Sequence, residues 1–268
     1  MNPLTRSAAT ARHARPRPGQ RELAQPHVWP EPPQQQDASD AVVWIYAVVA
    51  DQAASRLAGV TGVAGEPVRA VTALGPSAVV GTVGEATGKS LASLLSGLAA
   101  IETAGRAHHD VIAHLAESGP VVPLRFATVY PDDATIRILL AQRHGELTRM
   151  LESFRDKQEW DVKIYVEPGP NGSADDDSSR HPYRWTLAAE RAERIARTLS
   201  GIAAKTQRRP ASVPIAGEAR RLVVDGAYLL DSGRAQEFAS IVETTAAAHA
   251  ALRAELNGPW PPYSFADR

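Results

Sequence analysis

The segment from Gly84 to Ser90 (GEATGKS) combines the residue types of a loop that binds phosphate through backbone amides and a lysine. An apolar run before it predicts a strand, and a leucine-rich run after it predicts a helix, as such loops require. However, only three residues separate its two glycines where four are needed, and Val83 stands where the first glycine belongs. We take an ordinary strand-to-helix connection as the default, and a nucleotide-binding enzyme that uses Gly84–Ser90 as the alternative function.

Two other clusters contain metal-ligating residue types at unsuitable spacings. His108, His109 and His114 are expected on one helix, but their separations of one, five and six residues do not place two rings on the same face. Asp175–Asp177 lack the glycine and the distal glutamate of a calcium-binding loop. We therefore predict no metal site, no cofactor and no catalytic residue, and we expect His109 and Asp110 to cap or bond a neighbouring strand.

Arg125 is flanked by apolar residues within the short segment Pro120–Phe126. A buried guanidinium group needs compensating partners, so we expect an internal bidentate pair between Arg125 and either Asp110 or Glu102. The alternative is an arginine that faces a binding partner. Under either interpretation Arg125 is a candidate structural or partner contact.

The composition indicates a globular protein and excludes several classes of function. The chain has 268 residues, of which 44% are hydrophobic and 22% are charged, with a net charge of −1. This balance does not favour nucleic acid or an anionic membrane as a partner. The absence of cysteine excludes disulfides, thiolate metal sites and a cysteine nucleophile, and it fits a reducing cytoplasm. We also expect no membrane span and no signal peptide, because no suitable apolar run is present.

The chain begins with a tail of residues 1–40 that is predicted to be disordered. It contains seven prolines, and five arginines precede its first acidic residue; an anion-binding arm is the alternative interpretation. Residues 41–156 are predicted to form an N-terminal α+β domain. It has strands at Val42–Val49, Pro67–Leu74 and Ala78–Val83, a long helix over residues 90–117, and a second helix that Pro131–Asp133 open and that continues past Leu147.

Residues 157–257 are predicted to form a C-terminal domain with the ferredoxin-like order β-α-β-β-α-β. Apolar and polar residues alternate over Trp160–Val166, which predicts a strand with one buried face. A helix follows over residues 183–207, then a strand at Leu222–Leu230 with an edge near Ala211–Ile215. A helix over residues 233–247 and a strand over residues 252–256 complete the pattern. The predicted fold class is therefore α+β with two domains.

The last eleven residues, Gly258–Arg268, form a segment rich in proline and aromatic residues that we call the strap. Pro259, Pro261 and Pro262 fix φ and donate no amide hydrogen bond, so the sequence predicts an extended strap and not a helix. Its aromatic side chains can each bury roughly 150–250 Å². We expect them to pack mainly on the C-terminal domain; they are Trp260, Tyr263 and Phe265.

Six segments, in order along residues 43–265, resemble landmarks of the gas vesicle protein L/F family. The segment Pro120–Val129 resembles the family's "V-x-P-L-R-F-G-T", and the strap resembles its terminal "G-P-W-P-P-Y-S-F". The remaining similar segments are Trp44–Val49, His109–Ile112, Glu159–Lys163 ("E-W-x-V-K") and Ala227–Leu230. Two departures stand out, because Ala127 replaces the usual glycine and Leu230 replaces a valine.

The resemblance implies a non-enzymatic accessory protein of gas vesicle assembly, built from two α+β domains. The expected partners are the small hydrophobic shell protein and other accessory vesicle proteins, and no cofactor is implied. The expected location is the cytoplasm, in association with gas vesicles. The family's motifs do not assign an interface, so the candidate structural or partner contacts come from the residues themselves: Arg125, Phe126, Trp260, Tyr263 and Phe265.

Overall fold

The computed structural model describes residues 41–50, 56–84, 89–167, 182–210 and 220–266. The predictions for residues 1–40, the loop with Asp175–Asp177 and the edge near Ala211–Ile215 lie outside these ranges. The described residues cluster into two compact units, one within residues 41–159 plus 260–266 and the other within residues 160–259. No helix within the described ranges is both long and apolar enough to cross a membrane.

The first unit is built on an antiparallel sheet whose central strand is β1. Its strands are β1 (Val42–Val49), β2 (Arg69–Thr72), β3 (Ser77–Val83), β4 (Val121–Pro123) and β5 (Val129–Tyr130). The order is β2-β3-β1-β4, and β5 also pairs with β1. All eight residues of β1 are buried. Because both of its faces are covered, β1 is apolar throughout and does not alternate, which the sequence VVWIYAVV already indicated.

Besides the helical turn of the strap, four described helices complete this unit, and two predicted helices are each interrupted. They are α1 (Leu91–Leu94), α2 (Leu98–Ala116), α3 (Asp133–Gln142) and α4 (His144–Phe154). The prediction of one helix over residues 90–117 is wrong, because Gly97 has a left-handed φ of 84° that ends one helix and starts the next. Arg143, with φ −106° and ψ 12°, separates α3 from α4 without a left-handed φ. The predicted helix start is confirmed by Asp132, whose carboxylate accepts a 2.7 Å bond from the Thr135 amide.

The second unit has the predicted order β-α-β-β-α-β. Its elements are β6 (Lys157–Val166), α5 (Pro182–Ile202), β7 (Lys205–Arg208), β8 (Arg221–Asp231), a 3₁₀ turn (Ser232–Arg234), α6 (Ala235–Ala247) and β9 (Leu252–Trp260). The strand order is β7-β8-β6-β9. The α+β fold class is thus confirmed. The chain passes from one unit to the other within β6, between residues 159 and 160, and within β9, between residues 259 and 260.

The predicted end of the helix over residues 183–207 is wrong. The helix α5 ends at Ile202, and Lys205–Arg208 form the strand β7, which pairs antiparallel with β8 from Lys205↔Leu229 to Arg208↔Gly226. Lysine, glutamine and arginine are good helix formers, so local propensity favoured continuing the helix. The backbone hydrogen bonds that β8 offers override that preference.

The prediction of a fully extended strap is also wrong. The strand β9 continues through Pro259 to Trp260, and a single helical turn, α7 (Tyr263–Ala266), follows. Pro262 directly precedes this turn, where a fixed φ near −65° suits the start of a helix and the missing amide is not needed. The prolines therefore end the strand and begin a short helix.

Candidate functional site at the strap

His108 on α2 links three distant segments through its buried ring. The Trp44 Nε1–H donates to His108 Nδ1 at 3.0 Å, and His108 Nε2 lies 3.1 Å from the carbonyl oxygen of Leu124. Because the tryptophan can only donate, Nδ1 must accept, and Nε2 carries the proton that it donates to Leu124. Desolvation by burial lowers the pKa of His108 to about 4, which keeps the ring neutral at pH 7.

The ring of Phe126 completes this aromatic cluster. Its centroid lies 5.2 Å from that of Trp44 and 5.8 Å from that of His108, both in edge-on geometry. Phe126 is half-buried, so part of its ring remains accessible. The cluster therefore holds the segment that follows β4 against β1 and α2.

The next residue on α2, His109, contacts the strap. Its Nδ1 lies 2.8 Å from the hydroxyl of Tyr263, and the ring of Trp260 meets it edge-on at 5.6 Å. Neighbouring positions of a helix point about 100° apart, so His108 enters the core while His109 reaches a different surface. Two of its contacts are aromatic residues of the strap, and one of these, Trp260, is the last residue of the strand β9.

Glu159 anchors the helical turn of the strap. This carboxylate is fully buried, and it accepts 2.7 Å hydrogen bonds from both the backbone amide and the hydroxyl of Ser264. A carboxylate at the first turn of a helix satisfies amides that have no partner inside the helix. A buried carboxylate also requires such donors, so Glu159 and Ser264 stabilise one another's position.

The strap is anchored on one side and accessible on the other. Phe265 is buried, whereas Trp260 and Tyr263 are half-buried and Pro259 is exposed. Residues 260–266 cluster with the unit of residues 41–159, and Tyr263 packs against the core of that unit. The expectation that these aromatic side chains pack mainly on the C-terminal domain is therefore wrong.

Arg125 lies on the surface and not in the core. Its side chain is exposed, and one of its two expected partners, Glu102, pairs at 3.5 Å with Arg106 one helical turn away. The expectation that Arg125 is buried is therefore wrong, whereas its pairing with Asp110 and a role in partner binding remain predictions. The carbonyl oxygen of Arg125 accepts bonds from the amide and hydroxyl of Thr128, at 3.2 and 2.8 Å.

The turn between Arg125 and Thr128 explains why the family motif carries a glycine where this chain has Ala127. Ala127 has a left-handed φ of 63°. Glycine adopts this conformation without the steric cost that a Cβ atom imposes. The replacement by alanine therefore keeps the turn geometry at some cost in local strain.

The other clusters weighed in the sequence do not form a site among the described residues. Gly84 and Lys89 pair as an isolated antiparallel bridge, and the helix after them, α1, has only four residues. The exposed His114 lies on a different part of α2, with Nε2 3.3 Å from the carbonyl oxygen of Arg56. Among the side chains that the structure describes, no three His, Cys, Asp or Glu residues are grouped as metal ligands.

The residues at the strap are suited to binding another protein. Tryptophan, tyrosine and arginine are enriched where protein interfaces gain most of their affinity. Glu159 and His109 hold the strap in place, so the half-buried rings of Trp260 and Tyr263 form a rigid surface. Such a surface loses little conformational entropy on binding. We call His109, Trp260 and Tyr263 the strap site.

The comparisons with known sequences agree with one another. The family model described as "Gas vesicle synthesis protein GvpL/GvpF" matches residues 42–182 and 176–267. Gas vesicle protein L of Streptomyces sp. (strain CB03234) is 34% identical over 252 residues, which cover 85% of this chain and 94% of the relative. Gas vesicle protein F of the same strain is 28% identical over 189 residues, covering 60% and 76%.

Solved structures give the same fold. The crystal structure of the gas vesicle protein GvpF from Anabaena sp. PCC7120 superposes with a TM-score of 0.62 at 17% identity, covering 85% of this chain and 97% of that one. The GvpF structure from Microcystis aeruginosa superposes with a TM-score of 0.60, also at 17% identity, covering 85% and 99%.

Proposed function

Because the chain belongs to the gas vesicle synthesis protein GvpL/GvpF family, we propose that it is a non-enzymatic accessory protein of gas vesicle assembly. In this role it binds the small hydrophobic shell protein, other accessory vesicle proteins, or both. The observation that carries the proposal is that several of the family's landmark segments are joined within one unit. His108 bonds Trp44 and the carbonyl oxygen of Leu124 in the core, and the next residue, His109, bonds Tyr263 of the strap. Glu159 bonds the strap at Ser264.

The chemistry of a gas vesicle explains why such a protein is needed. A shell subunit whose surface faces gas must be apolar there, and that surface aggregates in water before assembly. A protein that binds the subunit or organises its partners keeps the subunit available for addition to the shell. Binding and release suffice for this role, and neither requires a catalytic residue.

The strap site supports this role by its geometry. Glu159 fixes the turn that carries Tyr263, and His109 contacts both half-buried aromatic rings, so the site is organised before a partner arrives. The exposed Arg125 follows β4 in the same unit. The nucleotide-binding alternative has no comparable support, because the helix after Gly84–Ser90 is a single turn.

A pairwise binding measurement tests the proposal. The full chain is immobilised and tested by interferometry against the shell protein and each accessory protein encoded beside it. We expect at least one partner to bind and Trp260→Ala to weaken that binding at least tenfold, as for a central aromatic contact. Leu74→Ala, which alters an exposed apolar residue outside the strap site, serves as the control and should bind normally. Thermal melting must show that both variants remain folded.

The proposal is abandoned if the folded wild-type chain binds none of these proteins. If it binds a partner but Trp260→Ala binds equally well, the function stands and the strap site is not the interface.

A further inference from the structure

A proline-rich part of the chain lies outside the described residues and outside the family match, which begins at residue 42. The segment Trp29–Pro33 (WPEPP) has three prolines among five residues, and we call it the proline segment. Proline fixes φ near −65°, so such a segment favours a polyproline II helix and loses little conformational entropy on binding. Segments of this kind bind to grooves that are lined by aromatic side chains.

The strap site presents aromatic rings of the type that bind such a segment. The rings of Trp260 and Tyr263 lie against His109, with centroids 5.6 and 5.9 Å from that of the imidazole. Both side chains are half-buried, and the hydrogen bond between Tyr263 and His109 fixes one of the rings. The exposed Pro259 directly precedes Trp260. Two anchored rings around one histidine therefore offer a preformed apolar surface.

The spacing of the prolines suits two adjacent rings. A polyproline II helix has three residues per turn and rises about 3.1 Å per residue, so residues three apart lie on one face, about 9 Å from each other. Pro30 and Pro33 have this spacing in the sequence. Each of them can therefore contact one aromatic ring of the strap site.

The chain enters the fold close to the strap site. The first described residue, Ala41, lies three positions before Trp44. The Trp44 indole bonds His108, and the next residue of α2 is His109 of the strap site. Pro33 is eight residues from Ala41, and eight extended residues span about 26 Å. This length is enough to bring the proline segment to the strap.

The charge of the adjoining chain agrees with this placement. Residues 22–40 contain four acidic residues and no lysine or arginine. Arg106 lies one helical turn before His109, on the same face of α2, and its side chain is 43% exposed. It pairs at the surface with Glu102 at 3.5 Å, and such exposed pairs are weak. An acidic segment that reaches the strap site therefore meets a positive charge beside it.

We propose that the proline segment docks on the strap site of its own chain and covers it until a partner displaces it. The contact itself is intramolecular, whereas its regulatory consequence rests on the proposed function. Tethering by a short linker raises the local concentration of the segment to about 1 mM. A contact with a dissociation constant on the order of 0.1 mM is then formed in about nine chains of ten, which lowers the apparent affinity for a competing partner about tenfold.

The test uses the full chain with one spin label. Because the chain has no cysteine, Gln35→Cys gives a single attachment site next to the proline segment. A nitroxide at this position broadens the NMR signals of protons that lie close to it. We expect selective broadening of the Trp260 indole N–H and of the amides of residues 263–266, compared with the same sample after reduction of the nitroxide.

Two variants of the labelled chain show which prolines are responsible. Most of the broadening should disappear when alanine replaces all three prolines of the proline segment, which are Pro30, Pro32 and Pro33. The matched control replaces three prolines elsewhere in the tail and should retain the broadening; these are Pro3, Pro16 and Pro18. Both sets of substitutions lie outside the family match, so the remaining spectrum should show an unchanged fold.

The same variants without the label are compared in the binding measurement with the vesicle proteins. The variant of the proline segment should bind a partner about tenfold more tightly than the wild type, and the control variant should bind within twofold of the wild type. If the strap signals are broadened but no vesicle protein binds, the docking is supported and only the proposed function fails.

Three results would overturn the inference. Broadening that is absent from the strap, or that is centred elsewhere on the protein, shows that the proline segment does not dock there. Equal broadening in a mixture of spin-labelled chain with a separate isotope-labelled chain shows a contact between copies. Unchanged affinity of the proline-segment variant for a partner that Trp260→Ala fails to bind shows that the proline segment does not cover the interface.

Discussion

His108 carries no charge in the folded protein at neutral pH, because its ring is buried between Trp44 and Leu124. Its pKa is lowered to about 4, whereas an unfolded histidine titrates near 6.5. Between these values the unfolded chain binds a proton that the folded chain does not. The contribution of His108 to stability is therefore complete above about pH 6.5 and is lost as the pH falls toward 4.

The difference between the folded and unfolded pKa of His108 predicts that the stability of the protein changes with pH. The free energy of unfolding should fall by up to about 1.4 kcal/mol per pH unit from this group alone. Urea unfolding of the wild type and of His108→Gln at pH 7.5, 6.0 and 5.0 measures it. We expect the variant to be less stable at pH 7.5 but to lose less stability on acidification. His114→Gln, at an exposed position, should keep the wild-type slope; equal slopes for all three proteins would refute the assignment.

Side chains differ in how far the sequence predicts their roles. The position of His108 on the apolar stripe of α2 could be recognised, because Val111, Ile112 and Leu115 follow it at helical spacing. The burial of Glu159 could not, since it precedes a strand of alternating residues and its partner Ser264 is 105 positions away. Arg125 was misassigned because its apolar neighbours are buried while the turn at Ala127 directs it to the surface.

Secondary structure was predictable where periodicity was strong and failed where single residues break it. The strands β1 and β8 and the order of the second unit follow from apolar patterning. The breaks at Gly97 and Arg143 lie inside patterns that continue across them, so periodicity alone could not locate them. The strand β7 depends on the neighbouring strand β8, which no local signal in Lys205–Arg208 reveals.

Removal of the strap is predicted to destabilise the first unit. Truncation after Pro259 removes the buried Phe265 and leaves Glu159 without its bonds to Ser264. Losing one buried aromatic side chain and two hydrogen bonds to a buried carboxylate should cost about 3 kcal/mol or more. Because residues 260–266 belong to the first unit, hydrogen exchange should accelerate in α2 and β4.

The control for this experiment is truncation after Ala266, which removes only two residues and should leave exchange unchanged. Faster exchange confined to α5 and α6 would contradict the packing described for the strap, because those helices belong to the second unit.

The molecule combines a predictable fold class with surfaces that patterning alone does not reveal. The two antiparallel sheets and the family follow from landmarks spread over most of the chain. The strap site forms only when α2, β6 and the last described residues meet, and Leu98 is exposed at the helix start that Gly97 sets. Sequence patterns identify such residues, while the fold determines whether they face the core or a partner.

Deletion of the gene for this chain in its host, followed by electron microscopy of the cells, tests the central claim most directly. We predict that gas vesicles are absent or malformed after deletion and that expression of the wild-type chain restores them. Vesicles of normal number and shape in the deletion strain would contradict a role in gas vesicle assembly.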